Sequence, residues 1–261
     1  MSGEIQTAVE LTPEHPLDRI VELAVQAEET GYDAAFASSH YFNRDPYQAL
    51  ALIAGETEQL QIGPGVANPY ECHPAVHAAK IATLDEVSGR TGHLRARGWR
   101  SIDTRHASGS SGRSRSRRVA DSIRLTRRLW DGEVISGDGA VTTRDASLNI
   151  EGASVPIYVG AQGPQMLRMA GTLADGVLVN GSHPRDVAWA ADQVAAADRP
   201  RENVSVLAFA SVSVGPDGSA ARESARPPVA FIAGGAAPPH LERHDIDESV
   251  AGTNQRRTRA R

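Results

Sequence analysis

Residues 5–40, IQTAVELTPEHPLDRIVELAVQAEETGYDAAFASSH, contain the pattern that decides the fold. Segment 5–11 is rich in β-forming residues, and its apolar and polar residues alternate, which is typical of a strand. Apolar residues then recur at helical spacing over residues 17–27, and Gly31 follows where a helix C-cap belongs. A second apolar run at 32–40 predicts the next strand. A strand, a helix and a strand with short connections favour two parallel strands joined by a crossover helix.

The same unit recurs along most of the chain. The predicted elements after residue 40 are helices at 45–59, 73–89, 118–133, 163–175, 183–198 and 219–235 (interrupted at Pro227 and Pro228), a short helix at 241–250, strands at 60–69, 155–162, 176–181 and 204–214, and a hairpin at 134–150. Repeated βα units with right-handed crossovers predict an α/β fold, a (β/α)8 TIM barrel. A doubly wound open sheet is the alternative, weakened because no G-x-G-x-x-G follows the first strand.

An Arg-, Ser- and Gly-rich segment, residues 91–118, interrupts this pattern. Counted with Arg90, it holds nine of the chain's 26 arginines, and the last ten residues hold four more. A fourth strand is due at 91–98, but no apolar strand core is present there, and no eighth βα unit follows residue 250. We therefore predict one incomplete barrel domain over residues 1–250, with the strand 4 and strand 8 regions disrupted or missing, followed by a basic tail at 251–261.

Composition excludes several classes of protein. No run of about 18 apolar residues exists, so no membrane span is expected. The single cysteine, Cys72, excludes an intramolecular disulfide and fits a cytoplasmic protein. Outside the two Arg-rich segments, acidic residues outnumber basic residues 31 to 14, and Lys80 is the chain's one lysine. This balance favours either a halophile's surface or an acidic protein with Arg-biased coding sequence.

Polar or Gly-rich residues follow five of the predicted strands. They are Glu10; Ser38, Ser39 and His40; Asn68, Pro69 and Tyr70; Gly160, Ala161, Gln162 and Gly163; and Asn180 to His183. In an α/β barrel the functional residues collect at the carboxyl ends of the strands, so these ends predict a site. His73 and His77 are four apart, but no third ligand has suitable spacing, so a metal site is improbable.

Three segments, residues 9–45, 62–90 and 156–184, resemble the bacterial-luciferase-like superfamily. Within it they are most similar to the coenzyme F420-dependent methylenetetrahydromethanopterin reductases, in a haloarchaeal-looking version. GPGVANPY (63–70) and LDEVSGR (84–90) are the more specific motifs. The resemblance implies a deazaflavin cofactor, coenzyme F420, and hydride transfer to a methylene-tetrahydropterin substrate. An FMN-dependent monooxygenase of the same superfamily is the alternative.

The resemblance also implies roles for individual residues. Glu10 is the expected acid and His40 contacts the cofactor ring or the substrate. The cofactor-binding residues it implies are Gly65, Val66, Ala67, Asn68, Gly160, Ala161, Gln162, Gly163 and Asn180. The Gly65–Val66 bond would be a cis peptide behind the ring, and the 160–163 turn would hold the phosphate. From the residues alone, a solvated Glu10, a surface His40 and ordinary glycine turns are the alternatives that stay open.

The Arg-rich segment has three explanations. A nucleic-acid-binding insert needs stacking aromatics, and only Trp99 is present, so no nucleic-acid partner is expected. A disordered loop is compatible with the composition. The family normally has a fourth strand and a G-I-G-x-G-D loop here. We therefore hypothesise that the segment and the basic tail are out-of-frame translation, which the other reading frames of the coding DNA would test. The chain would then be an inactive remnant. An active chain is expected to bind a small pterin, with no membrane contact, as a homodimer or homotetramer.

Overall fold

A computed structural model describes residues 5–39, 43–89, 100–102, 112–181, 183–198, 202–234, 236 and 238–246. Statements about structure below concern these residues. His40, the proposed fourth-strand segment 91–98 and the basic tail 251–261 lie outside them. The chain divides into two compact units, Met1–Val159 and Gly160–Arg261, which are described separately.

The elements follow the predicted βα order. The first unit contains β1 (Ala8–Leu11), α1 (Leu17–Glu29), β2 (Ala34–Ala37), α2 (Pro46–Glu56), β3 (Gln61–Pro64), α3 (Pro74–Gly89), β4 (Arg100–Ile102), α4 (Gly112–Trp130), β5 (Ile135–Asp138), β6 (Thr142–Ala146) and β7 (Ile157–Gly160), whose last residue begins the second unit. The second unit continues with α5 (Pro164–Leu173), β8 (Gly176–Val179), α6 (Pro184–Ala195), β9 (Ser205–Ala208), α7 (Gly218–Gly234) and α8 (Pro238–Arg243).

The strands joined by helices are parallel. β1, β2 and β3 form one sheet in that order, β4 pairs with β7, and β8 pairs with β9. β5 and β6 form an antiparallel pair, which confirms the hairpin predicted at 134–150. Parallel strands connected by helices confirm the α/β fold class.

Local signals position the first helices. α1 ends before Gly31, whose φ of 86° places it in the left-handed region expected of a C-cap glycine. α2 begins at Pro46 after Asp45, whose carboxylate accepts hydrogen bonds from the backbone N–H groups of Tyr47 and Gln48 at 2.8 and 3.2 Å. An aspartate N-cap followed by proline is a strong helix start.

One face of the β1–β3 sheet packs against α1 and α2. The buried residues of this core are Leu11, Ile20, Ala24, Ala35, Ala37, Ala49, Leu50, Ile53, Ala54, Leu60, Ile62 and Leu84. Side chains alternate across a strand, so the residues between these strand positions face the opposite side of the sheet. That opposite face carries the first candidate site.

A short strand lies in the region predicted to be disrupted. β4 is three residues long, and Arg100, Ser101 and Ile102 pair with Ile157, Tyr158 and Val159 of β7. The position 91–98, where a full fourth strand was expected, lies outside the described residues, and β4 follows just beyond it. After β9, the described residues contain no further strand.

Three helices differ from their predicted bounds. α4 begins at Gly112, six residues before the predicted start, so the end of the Arg-rich segment is helical. α7 continues through Pro227 and Pro228, where an interruption was predicted. It buries none of its side chains, so no packed neighbour opposes the small bend that the prolines require. α8 lies at Pro238–Arg243, near the start of the predicted 241–250 helix.

A glutamate on α1 holds the start of β3. The Glu28 carboxylate accepts hydrogen bonds from the backbone N–H groups of Glu58, Gln59 and Leu60 at 2.9, 2.6 and 2.8 Å. These residues connect α2 to β3, and their N–H groups would otherwise lack an acceptor in the chain. Glu28 therefore fixes the register at which β3 enters the sheet.

We expect Glu28→Ala to lower the free energy of unfolding by about 1.5–3 kcal/mol, because three donors lose a charged acceptor. Urea unfolding followed by circular dichroism measures the change. Glu29→Ala, at the exposed neighbouring position on the same helix, is the control and should change stability by less than about 0.5 kcal/mol. Equal effects of the two substitutions would show that the Glu28 contacts contribute nothing specific.

The described helices include none that is both long and apolar enough to cross a lipid bilayer.

Candidate functional site

The carboxyl ends of β1, β2 and β3 meet at one edge of the first sheet. Glu10 is paired with Phe36, and Phe36 is paired with Gly63. Paired residues of parallel strands point to the same side, so the Glu10 and Phe36 side chains face away from α1 and α2. Glu10 is half-buried there. A carboxyl group at a strand end, on the sheet face opposite α1 and α2, is well placed to exchange a proton with a bound substrate.

Ser38 lies two residues beyond Phe36 and is 5% exposed. Its hydroxyl is buried and has no hydrogen-bond partner among the described residues. Leaving such a group unpaired costs about 1–3 kcal/mol, so buried hydroxyls of this kind usually meet a ligand or an ordered water. Ser38 therefore marks a position where a bound molecule would satisfy a polar group of the protein.

The segment after β3 stays attached to β2 by backbone hydrogen bonds. The Gly65 N–H donates to the Ala37 carbonyl at 2.9 Å, and the Ser39 N–H donates to the Val66 carbonyl at 3.1 Å. The Gly65–Val66 peptide bond is cis, as the family resemblance implied. Val66, Ala67 and Asn68 are all buried.

Gly65 cannot carry a side chain without disturbing this edge. A Cβ at this position would lie 2.5 Å from the Phe36 Cβ and 2.8 Å from its Cγ. The nearer of these atoms is bonded directly to the backbone of β2, so it cannot move aside by a rotamer change. The close approach of the two backbones therefore requires glycine at this position.

A buried histidine supports the same segment from behind. His77 on α3 is 1% exposed, and its Nε2 lies 3.1 Å from the Asn68 carbonyl oxygen while its Nδ1 lies 2.9 Å from the Tyr47 hydroxyl. A carbonyl only accepts, so the His77 Nε2 donates to it. Both ring nitrogens of His77 are thus engaged, and His77 positions the Asn68 backbone.

An arginine at the end of the Arg-rich segment supports the next residues. The Arg118 guanidinium donates to the carbonyls of Ala140 and Pro69 at 3.1 and 3.4 Å and lies 4.8 Å from the centre of the Tyr70 ring. The Tyr70 hydroxyl is buried and has no partner among the described residues. Arg118, although it ends the segment that looked foreign to the fold, is therefore integrated with the site.

The second unit contains a separate set of candidate residues. Gly160 ends β7, and residues 161–163 lead into α5. The Gln162 side-chain amide donates to the Asn180 carbonyl at 3.1 Å, and the Ala161 N–H donates to the Leu178 carbonyl at 3.1 Å. The turn and Asn180 therefore lie next to each other, as the order of strand ends predicted.

Two features of this turn suit an anionic or polar ligand. The Asn180 Oδ1 is buried and lacks a hydrogen-bond partner among the described residues. Gly163 is the N-cap of α5 without a side-chain cap, and a Cβ there would meet nothing within 4 Å. The first N–H groups of a helix with open space in front of them can bind a phosphate group.

The predicted site residues thus form two groups, one in each compact unit. Glu10 and Gly65 to Asn68 lie at one end of the β1–β3 sheet, whereas Gly160 to Gly163 and Asn180 lie together in the second unit. His40 is outside the described residues. Sequence reasoning missed the supporting roles of Tyr47, His77 and Arg118. Tyr47 and His77 are 30 positions apart, and Arg118 is 22 and 49 positions from its partners, so no local motif indicates these contacts.

Comparison with known proteins gives a consistent result. The family model described as luciferase-like monooxygenase matches residues 3–261. A 5,10-methylenetetrahydromethanopterin reductase of Archaeoglobus fulgidus is 37% identical over 229 residues, covering 86% of this chain and 69% of that protein. The enzyme of the same name from Methanolobus tindarius is 38% identical over 247 residues, covering 93% and 76%.

A solved structure agrees with these relatives. The coenzyme F420-dependent tetrahydromethanopterin reductase of Methanopyrus kandleri superposes with a TM-score of 0.81 at 30% identity, covering 95% of this chain and 77% of that one. An F420-dependent secondary alcohol dehydrogenase superposes with a TM-score of 0.73 at 18% identity, which shows the shared fold.

Proposed function

Because this chain belongs to the luciferase-like monooxygenase family, we propose that it is an oxidoreductase that transfers a hydride from reduced coenzyme F420 to a methylene-tetrahydropterin. The observation that carries the proposal is the match along 95% of the chain to an F420-dependent tetrahydromethanopterin reductase. The proposed site residues in the first unit, Glu10, Ser38 and Gly65, lie within that match.

The residues of the first unit fit a flat cofactor ring. Gly65, Val66 and Ala67 present backbone and small side chains, and the Gly65 backbone is pressed against Phe36. The Ser38 hydroxyl, which has no partner among the described residues, directly follows β2 and offers a polar contact there. We assign residues 65–68 to contact with the ring, with His77 and Arg118 holding that segment in place.

The residues of the second unit fit a phosphate and its neighbouring polar groups. The N–H groups at the start of α5 would bind phosphate oxygens, and the unpartnered Asn180 Oδ1 would accept a hydrogen bond from a hydroxyl or amide. We assign Gly160, Ala161, Gln162, Gly163 and Asn180 to this role. Asn180 is held by the Gln162 amide, so a substitution at Gln162 would act through Asn180.

The reaction needs one proton besides the hydride. Reduced F420, when bound, supplies a hydride to the methylene carbon. The bond between that carbon and one pterin nitrogen breaks, and the nitrogen must gain a proton. The Glu10 carboxyl is proposed as the group that holds and delivers this proton, since it is half-buried on the sheet face opposite α1 and α2.

We also propose that both units belong to one luciferase-like (β/α)8 barrel domain over residues 1–250. The 95% coverage of this chain by the reductase structure supports a single family domain. The match covers 77% of the length of that structure.

The test is a spectrophotometric assay with reduced F420 and methylene-tetrahydromethanopterin. We expect F420 oxidation with one methyl-tetrahydropterin formed per F420. Binding of FMN by the protein, without F420 binding, would contradict the proposal and favour the monooxygenase alternative. F420 binding without turnover would identify an inactive remnant of the same family.

A further inference from the structure

A cluster of three metal-ligating side chains lies in the second unit beside Gly181, where a Cβ would be 3.1 Å from the His240 Cε1. Asp186 is on α6, His240 is on α8, and His244 directly follows α8. Asp186 is 1% exposed, and its Oδ2 lies 2.7 Å from the His244 Nε2 while its Oδ1 lies 3.4 Å from the His240 Nδ1. The three ligand atoms all lie within 4.8 Å of one another.

We propose that Asp186, His240 and His244 form a binding site for a divalent transition-metal ion of the Zn²⁺ class. Two imidazole nitrogens and one carboxylate oxygen are the ligands of many zinc sites that keep a fourth position for water. In a tetrahedral zinc site the ligand atoms lie about 3.3 Å apart, so the observed spacing needs only small side-chain adjustments.

A metal would take the place of the proton between the Asp186 carboxylate and the His244 ring, whose Oδ2 and Nε2 lie 2.7 Å apart.

Two neighbouring groups would orient the ligands. The Arg243 Nε donates to the Asp186 Oδ1 at 3.0 Å, and its guanidinium lies 3.9 Å from the centre of the Trp189 ring. Arg243 can keep this bond while Oδ2 ligates the metal, as hydrogen-bonded carboxylates at metal sites do. The His183 ring lies 5.2 Å from that of His244, and its Nδ1 accepts from the Arg185 N–H at the start of α6.

The role we infer for the metal is to fasten α8 to α6. α8 has six residues, and a helix that short has little stability of its own in water. Leu241 is its one buried residue, and Asp186 adds polar contacts with His240, Arg243 and His244. A bound metal would strengthen the attachment of α8 to α6 through Asp186 and the two histidines.

The experiment uses the full-length protein without an affinity tag and titrates it with ZnCl₂ in a calorimeter at pH 7.5. We expect one Zn²⁺ bound per chain. His244→Gln and His240→Gln should each weaken binding by more than the 10–100-fold that loss of an orienting neighbour costs. His15→Gln, at an exposed position in the other unit, is the matched control and should leave binding unchanged.

A second measurement protects the test against variants that fold poorly. Zn²⁺ should raise the melting temperature of the wild type and of His15→Gln but not that of His244→Gln, each compared with its own metal-free form. Co²⁺ should give the intense visible absorption of a four-coordinate site in the wild type and in His15→Gln but not in His244→Gln. Failure of the wild type to bind Zn²⁺, or equal weakening by His15→Gln, would overturn the proposal. Neither result depends on F420 or on the pterin.

Discussion

Replacing Glu10 with glutamine is expected to lower the rate of hydride transfer by about 10²–10⁴-fold, the usual contribution of a positioned acid. The amide keeps the size of the side chain and its place opposite Phe36 on β1, but it cannot deliver a proton to the pterin nitrogen. Binding of F420 should change little, because the residues assigned to the cofactor lie on other segments. Single-turnover oxidation of reduced F420 gives the rate, and fluorescence titration gives the cofactor affinity.

Two comparisons make this expectation specific. Glu14→Gln, at an exposed position in the turn after β1, should behave as the wild type. Glu10→Asp retains an acid but withdraws it by one methylene, so its rate should lie between those of the wild type and Glu10→Gln. A Glu10→Gln enzyme with undiminished single-turnover rate would remove Glu10 from the mechanism and leave the family assignment untouched.

Gly65→Ala is the substitution from which we expect the largest loss of cofactor affinity. The new methyl group would lie 2.5 Å from the Phe36 Cβ, so β2 and the segment after β3 would have to separate. Such overpacking costs about 1–3 kcal/mol of stability. Because the displaced backbone is the surface assigned to the ring, F420 affinity should fall by at least about tenfold, the equivalent of 1.4 kcal/mol.

The matched control is Gly55→Ala on α2, where a Cβ meets nothing within 4 Å. Alanine is the better helix former, so this variant should be as stable as the wild type or more so, with unchanged F420 affinity. Thermal unfolding and F420 titration of both variants provide the comparison. Wild-type affinity in a folded Gly65→Ala protein would show that the Gly65–Phe36 approach does not shape the cofactor site.

The order of strands and helices was predictable because each element has a local signal. β1, α1 and β2 follow from apolar periodicity, and Gly31 and Asp45 mark helix ends by their own chemistry. The candidate residues at the strand ends were also predictable, since a parallel arrangement brings carboxyl ends together. The cis bond at Gly65–Val66 came from the family resemblance and is confirmed.

Contacts between distant segments were not predictable from one sequence. His77 was considered only as a member of a metal pair with His73, whereas its partners are the Tyr47 hydroxyl and the Asn68 carbonyl. β4 carries too few apolar residues for a periodicity argument and depends on its neighbour β7. Asp186 and His240 are separated by 54 positions, and only the packing of α8 on α6 brings them together.

The alanines that pack the first sheet against its helices also determine how much conformational entropy its backbone and side chains lose on folding. Ala24, Ala35, Ala37 and Ala49 are fully enclosed, and alanine has no side-chain rotamers to lose. These four positions therefore lose only backbone entropy on folding, whereas the leucines and isoleucines of the same core, such as Leu50 and Ile53, also lose χ freedom. Each alanine hides little apolar area in return, so these positions depend on close contact between main chains, and the larger side chains supply most of the buried apolar area.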